Sequence, residues 1–446
     1  MTSFDKLLKM KNLHKTIIVV AALTAGCCSA SFAQSPEHRQ EVMELLREDP
    51  TRSVNLHHNY EAPSKIVDTP APKGYKPFYV SHYGRHGSRY HYTADYMDRP
   101  LAVLDSLDAH GLLTEEGRAV LNDLNAIKQA HDGQIGYLTH KGAAQHLAIA
   151  ERLCHRCPEI FRQNDHKEVY CVSTGVQRCI QSMANFCGQV AREYPELHIT
   201  MDAGDRFTRY LCNTEGVPAV GKREKFVMDS VLIANLDPSR LLSALTTSPE
   251  AAVKFMKNGP EKFFADVVWG GGIGQCLDIE DPYVYRHFTL DELYAIWAYN
   301  DVNYYNVMNG TVENRRSKDL IGARILSDII EKADAAVAGN DHAADLRFGH
   351  DTGLAPTFST LRVKGLEKER KMADAIDGVW YGFRGMPMAS NLQMIFYRNK
   401  KGDVLVKILR NEVETTIPAL KAVSGPYYRW DDLRGFIVDQ IDGLDF

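Results

Sequence analysis

The apolar positions recur at two periods, and the period changes along the chain. Phe78 to Tyr83 is a run of aromatic and β-branched residues that ends in Gly84-Arg85-His86-Gly87. A short apolar run closed by a turn signal predicts a strand. Between 95 and 130 the spacing lengthens to three and four, at Leu101, Leu104, Leu107 and then Val120, Leu121 and Leu124. That is the period of a helix with one apolar face. Thr139 stands where an N-cap is wanted, before a second such pattern that runs to Leu153. Lys167 to Ser173 predicts another strand, and after it Cys179, Ile180, Met183, Phe186, Cys187 and Val190 share a helical face. A short helix is expected from His38 to Arg47, followed by proline-dotted extended chain.

From about 205 to 330 short helical patterns follow one another, broken by Gly and Pro. Strand texture returns at Asp345 to His350, and Asn391–Arg398 and Asp403–Leu409 flank a turn sequence as a hairpin would. Strands alternating with helices predict an α/β fold. We expect a central, mostly parallel sheet flanked by helices, with an inserted, mainly α-helical cap. The expected division is a sheet domain at 34–204 and 331–446, with the cap at 205–330.

Composition narrows the setting. The chain has 446 residues and a formal net charge of −5, which disfavours a general nucleic-acid binder. Lys6, Lys9, Lys11 and Lys15 precede an apolar run, and Ser31-Phe32-Ala33 places small residues at a cleavage site. Residues 1–33 thus read as an export signal, cleaved before Gln34, and the protein is expected to be periplasmic or secreted. A lipid anchor on Cys27 fits less well, because Thr24 stands where a large aliphatic residue belongs. No membrane span is expected beyond the signal. The cysteines beyond it, Cys154, Cys157, Cys171, Cys179, Cys187, Cys212 and Cys276, are odd in number, so at least one stays unpaired within the chain. Their pairing stays open. Cys154-His155-Arg156-Cys157 has no partner CxxC and is read as a structural thiol pair.

The chemistry gathers at strand ends. Arg85-His86-Gly87 follows the first strand, Arg178 opens the helix after the second, and His350-Asp351 follows the third. In an open α/β sheet, ligands bind outside the carboxyl ends of the strands. If the strands are parallel neighbours, Arg85, His86, Arg89, Arg178, His350 and Asp351 converge. Arginines grip an oxyanion bidentately. A histidine can attack phosphorus, and a carboxylic acid can protonate the leaving group. Composition alone leaves a carboxylate ligand equally open.

These segments resemble the histidine acid phosphatases, the secreted branch of the histidine phosphatase superfamily, which includes phytases and multiple inositol polyphosphate phosphatases. The likeness is carried by RHGSRY at 85–90, LTHKGAAQHLAIAERL at 138–153, VSTGVQRCIQSMANF at 172–186 and GHDTGLAP at 349–356. PMASNLQMIFYR and ILRNE extend it into the C-terminal part. The resemblance implies a phosphoglycerate mutase-like α/β domain interrupted by a helical one. It implies that His86 is the nucleophile, Asp351 the proton donor, and Arg85, Arg89, Arg178 and His350 the phosphate-binding residues. It also implies that no metal or cofactor is needed and that the partner is a small phosphate ester. Tyr90-His91-Tyr92-Thr93 replaces the proline-containing sequence of many phytases, so phytate, sugar phosphates and nucleotide monophosphates all stay open. A cytosolic mutase-like enzyme and a non-catalytic phosphate-ester binder are the competing classes. The oligomeric state is not legible.

Other motifs are read as structural. Trp269-Gly270-Gly271-Gly272-Ile273-Gly274 lacks nucleotide-binding spacing and is expected to be a flexible cap loop. His140 and His146 are not at a metal-pair spacing, and His82 is expected either to orient the loop that carries His86 or to be buried in its strand. The basic stretches 221–225 and 314–318 are solvated faces, or else they draw in an anionic substrate.

Overall fold

In the computed structural model, residues 35–162, 167–212, 222–279, 284–372 and 380–444 are described. The export signal expected at 1–33 lies outside them. The strands are β1 (Lys76–Arg85), β2 (Glu168–Ser173), β3 (His198–Ala203), β4 (His342–Gly349), β5 (Asn391–Arg398), β6 (Val404–Arg410), β7 (Val413–Glu414) and β8 (Tyr427–Arg429). They form one mixed sheet in the order β3-β2-β4-β1-β5-β6-β7, with β8 paired to β6. β1 to β4 run parallel to one another, and the pairings of β1 with β5 and of β5 with β6 are antiparallel. The β5–β6 hairpin expected from the sequence is present. β3 has no counterpart among the expected strands, because His198 to Ala203 alternates weakly and lies partly exposed at the sheet edge.

Register sets the position of the site. Arg85 pairs with Gly349 across β1 and β4, and Ser173 pairs with Phe348 across β2 and β4. The next residues of each strand, His86, Thr174 and His350, therefore leave the sheet on one rim.

Side chains of β1 alternate between two cores, as a pleated strand requires. Tyr79 and Tyr83 pack with Ile325, Leu326 and Phe358 on one face. Val80 packs with Leu153, Met183 and Phe186 on the other. The helices behind these faces are α3 (His140–Arg156), α4 (Gln177–Glu193), α7 (Arg315–Ala338) and α8 (Asp351–Thr360). Thr139 caps α3 as expected, its hydroxyl accepting from the Gly142 N–H at 3.1 Å.

Between β3 and β4 the described residues hold helices only, including α5 (Pro260–Gly271) and α6 (Leu290–Met308). The helices expected at 95–130 form as α1 (Asp95–Ala109) and α2 (Glu115–His131). Their apolar faces do not pack on the sheet. Leu101, Leu104, Leu121 and Leu124 share a core with Phe264, Val268, Leu293 and Ile296 of α5 and α6. No helix among the described residues is long and apolar enough to cross a membrane.

One buried carboxyl ties α6 to the rest. Asp301 is fully buried and accepts hydrogen bonds from Asn55 Nδ2 and the Gly382 N–H. Burial pushes its pKa up to about 7, and those two bonds only partly oppose the shift. A raised carboxyl pKa favours the fold while the group is protonated. That contribution is complete below the unfolded value near ~4 and is lost as pH rises through about 7. Asp301→Asn should therefore gain stability relative to the parent as pH goes from 5 to 8, read as the difference in unfolding midpoints. An unchanged difference would show that the Asp301 pKa is not raised in the fold.

Candidate active site

The loop after β1 enters the rim fully buried. The side chain of Arg85 is 0% exposed, and its Nη1 donates to the carbonyls of Leu56 at 2.8 Å and Met386 at 2.7 Å. Its Nη2 stands 2.8 Å from the Asp351 carboxylate. The next residue is pinned through its backbone. The His86 N–H donates to the Gly349 carbonyl, and its own carbonyl accepts from the Ala389 N–H, both at 2.9 Å. The imidazole Nδ1 lies 2.9 Å from the Gly87 carbonyl. A carbonyl can only accept, so the proton sits on Nδ1 and the lone pair on Nε2. Nε2 has no hydrogen-bond partner among the described residues. Burial, then the charges of Arg178, Arg85 and Arg89, hold His86 well below the usual histidine range, so the ring is neutral.

The N-terminus of α3 braces this loop. The Ser88 carbonyl accepts from the N–H and the hydroxyl of Thr139, and the Ser88 N–H donates to Gln145 Oε1 at 2.8 Å. Backbone meets backbone here. A Cβ on Gly142 would overlap the Ser88 carbonyl, and a Cβ on Gly87 would overlap the Gly142 carbonyl. The Gly87 N–H donates to Ser182 Oγ at 3.1 Å, which joins the loop to α4.

The remaining groups close around His86. Arg89 donates from Nη1 to the Tyr90 carbonyl and from Nη2 to His57 Nε2, at 3.0 and 3.2 Å. Arg178, in the first turn of α4, reaches His350 Nδ1 at 3.5 Å. That leaves the His350 proton on Nε2, where it donates to Thr174 Oγ1 at 3.2 Å. Burial, and then Arg178, push His350 down to about 3. The His86 and His350 rings lie 5.5 Å apart and edge to face. Asp351 opens α8 and accepts from the Thr352 N–H at 2.9 Å. Burial alone would raise its pKa, but Arg85, His350 and Arg89 outweigh it and hold the carboxyl below the usual range.

All six residues singled out in the sequence thus meet at one rim. Three guanidinium groups face one carboxylate and two neutral imidazoles, so the rim is positive. The crowding shows in Arg89, which burial and the charges of Arg178 and Arg85 bring down to about 10. Preorganised positive donors of this kind suit a dianionic oxyanion.

Several neighbours were not legible. His57 is 3% exposed, and the Trp269 ring lies against it, tilted, with ring centres 4.1 Å apart. Tyr304 stacks on Trp269 with ring centres 5.7 Å apart. Trp269 belongs to α5, and the segment expected to be a flexible loop instead ends that helix and continues as a 3-10 turn. Gly270, Gly271 and Gly272 are buried, and side chains there would collide with Tyr96, Val284 and Val54. His91 is buried and donates to the Gly270 carbonyl. His82 is buried in its strand against Phe186 and Phe348, and His146 is buried against Phe348. His140 is exposed and pairs with Asp278.

The basic stretch at 314–318 does not face solvent freely. Arg315 is only 11% exposed and donates to Ser359 Oγ at 2.9 Å. Of the stretch at 221–225, Gly221 and the side chains of 222–224 lie outside the described residues. All seven cysteines beyond the expected signal are free, Cys154 and Cys157 both buried. Groups able to hold a metal ion occur at Asp49, His58 and Glu61 and at Glu151, His155 and Glu193. None of the six rim residues belongs to either.

No protein-family model matches the sequence, and no curated protein matches it at a significant level. Its backbone nevertheless matches solved structures. The multiple inositol polyphosphate phosphatase of Bifidobacterium longum, in complex with inositol hexasulfate, superposes with a TM-score of 0.70 at 20% identity. That match covers 86% of this chain and 97% of the other. The phytase from D. castellii gives a TM-score of 0.66 at 15% identity, over 88% of this chain and 86% of that one. Both are histidine acid phosphatases, and this chain has their fold.

The contact between Gly142 and Ser88 makes a test. Gly142→Ala should displace the loop that carries His86, with an overpacking cost of about 1–3 kcal/mol. The expected result is a lower melting temperature together with weaker binding of orthovanadate, a phosphate mimic. Unaltered vanadate binding would separate the α3 brace from the site.

Proposed function

We propose that this chain is a metal-independent acid phosphomonoesterase that works through a covalent phosphohistidine on His86. The observation that carries this reading is the His86 ring. Its proton is fixed on Nδ1 by the Gly87 carbonyl, and its Nε2 lone pair is free amid three arginines. The substrate phosphoryl group binds to Arg85, Arg89 and Arg178, with His350 beside it. Nε2 attacks phosphorus, a P–N bond forms, and the ester P–O bond breaks. Asp351 gives its proton to the departing alkoxide. Water then attacks the phosphohistidine and passes a proton to the Asp351 carboxylate. Inorganic phosphate leaves, and both side chains are restored.

Asp351 is paired with Arg85, which favours its ionised form. A bound dianion draws on that same guanidinium and adds negative charge beside the carboxylate. Both effects raise its pKa and favour the protonated donor.

The proposed substrates are phosphorylated polyols. They include inositol polyphosphates such as phytate, with sugar phosphates as the alternative. We further propose that the helices of the inserted segment 205–330 that precede α7, joined by α1 and α2, form a cap over the sheet domain, and that residues 1–33 direct export.

p-Nitrophenyl phosphate should be hydrolysed in the presence of EDTA, and with an alkyl phosphate ester kcat should fall as pH rises and Asp351 loses its proton. His86→Ala should abolish an acid-labile phosphoenzyme, and labelling that survives this change would refute the nucleophile. Asp351→Asn should cost about 100- to 10,000-fold on alkyl esters, which need a proton donor. It should cost much less on p-nitrophenyl phosphate, whose phenolate leaves unaided. Tight binding of phosphate esters without turnover would instead identify a binding protein.

A further inference from the structure

Cys171 stands in β2 and Cys187 in α4, and both are buried, at 0% and 2% exposure. They meet in the core between sheet and helix, among Val169, Met183, Phe186 and Val190. Their sulfurs are 3.1 Å apart. Both are free thiols in this structure. Other cysteines hydrogen-bond elsewhere. Cys157 donates to the Leu153 carbonyl, Cys179 to the Gly349 carbonyl and Cys276 to the His57 carbonyl, and Cys212 pairs with the Thr352 hydroxyl. Among the described residues, only the Cys187 thiol hydrogen-bonds to another sulfur.

The two cysteines stand 16 residues apart in the chain, and the segment between them reaches the rim. It contains Thr174, whose hydroxyl holds His350, and Ser182, which accepts from the Gly87 N–H. It also contains Arg178, one of the three rim arginines. α4 has no side-chain hydrogen bond at its N-cap, next to the turn that carries Arg178. A covalent tie farther along the helix would hold that turn against β2.

We propose that Cys171 and Cys187 form a disulfide when the chain folds in the presence of a disulfide oxidant, and that this bond ties α4 to β2. A disulfide holds its sulfurs about 2.0 Å apart, so the pair has about 1 Å to close. One thiolate attacks the oxidant, here oxidised glutathione, and the second attacks the mixed disulfide so formed. Two S–H bonds break and one S–S bond forms. The two electrons reduce the oxidant to two thiols, which take up the two protons. Burial sets the timing. Desolvation, and then Cys187, raise the Cys171 thiol well above its usual range, and the thiolate is the form that reacts. The bond therefore closes before the core does.

The test refolds the full chain, unfolded and reduced, in a mixture of reduced and oxidised glutathione. Remaining thiols are blocked with N-ethylmaleimide in denaturant, and the protein is digested with trypsin. Cleavage after Lys167, Arg178 and Arg192 separates Cys171 on peptide 168–178 from Cys179 and Cys187 on peptide 179–192. Mass spectrometry should find the two peptides linked, with maleimide on Cys179. Maleimide on both Cys171 and Cys187, or a bond from either to a different cysteine, would overturn the proposal. The oxidised protein should also melt roughly 3 °C or more above protein refolded with dithiothreitol, and Cys187→Ala should remove that gap. Cys171→Ala stands in if the first variant does not fold. A gap that persists in the variant, or none in the parent, would overturn the tie. Neither measurement uses phosphatase activity or export, so both readings stand or fall separately.

Discussion

The molecule is organised around a concentration of positive charge that is kept out of water. Arg85 has no exposed surface, Arg89 is 3% exposed, and Arg178 stands beside them. Burying one unpaired charge is costly, and burying several together is more so. The fold meets this with oriented carbonyls rather than with a matching set of carboxylates. Leu56, Met386, Tyr90 and Gly136 each turn a carbonyl towards one of the guanidinium groups. A single carboxylate, Asp351, completes the set. The positive excess that remains is the property a dianion would use.

The same charge governs the two histidines. In water an imidazole near neutral pH is partly protonated, and a protonated ring has no lone pair with which to attack. Burial and neighbouring guanidinium groups remove that competition for both His86 and His350. Hydrogen bonds then choose which nitrogen keeps the proton, in opposite senses for the two rings. Electrostatics sets the protonation state, and local geometry sets the tautomer.

The rim was legible in the sequence because its residues sit immediately after strands, where an apolar run stops and charge begins. Arg85, His86, Arg178, His350 and Asp351 could be read in this way, and the parallel register then aligned them. Contacts made by distant partners could not be read. The amphipathic pattern of α1 and α2 was clear, but it does not say which core the apolar stripe will join. His57 lies in a polar stretch with no period, and its role comes from Arg89 on one side and Trp269 on the other. The glycines after Trp269 looked like a loop because glycine is frequent in loops. Here they let three segments approach closely.

Arg85 is held by segments far apart along the chain. Its partners are the carbonyls of Leu56 and Met386 and the carboxylate of Asp351. The carbonyl of the next residue, His86, is bonded to Ala389. Three of those four partners belong to the last quarter of the polypeptide. A nascent chain that has already produced β1, α3 and α4 still lacks the partners that make the buried guanidinium tolerable. The positive rim is thus not assembled until synthesis is nearly finished, and that timing comes from the order of its residues along the chain.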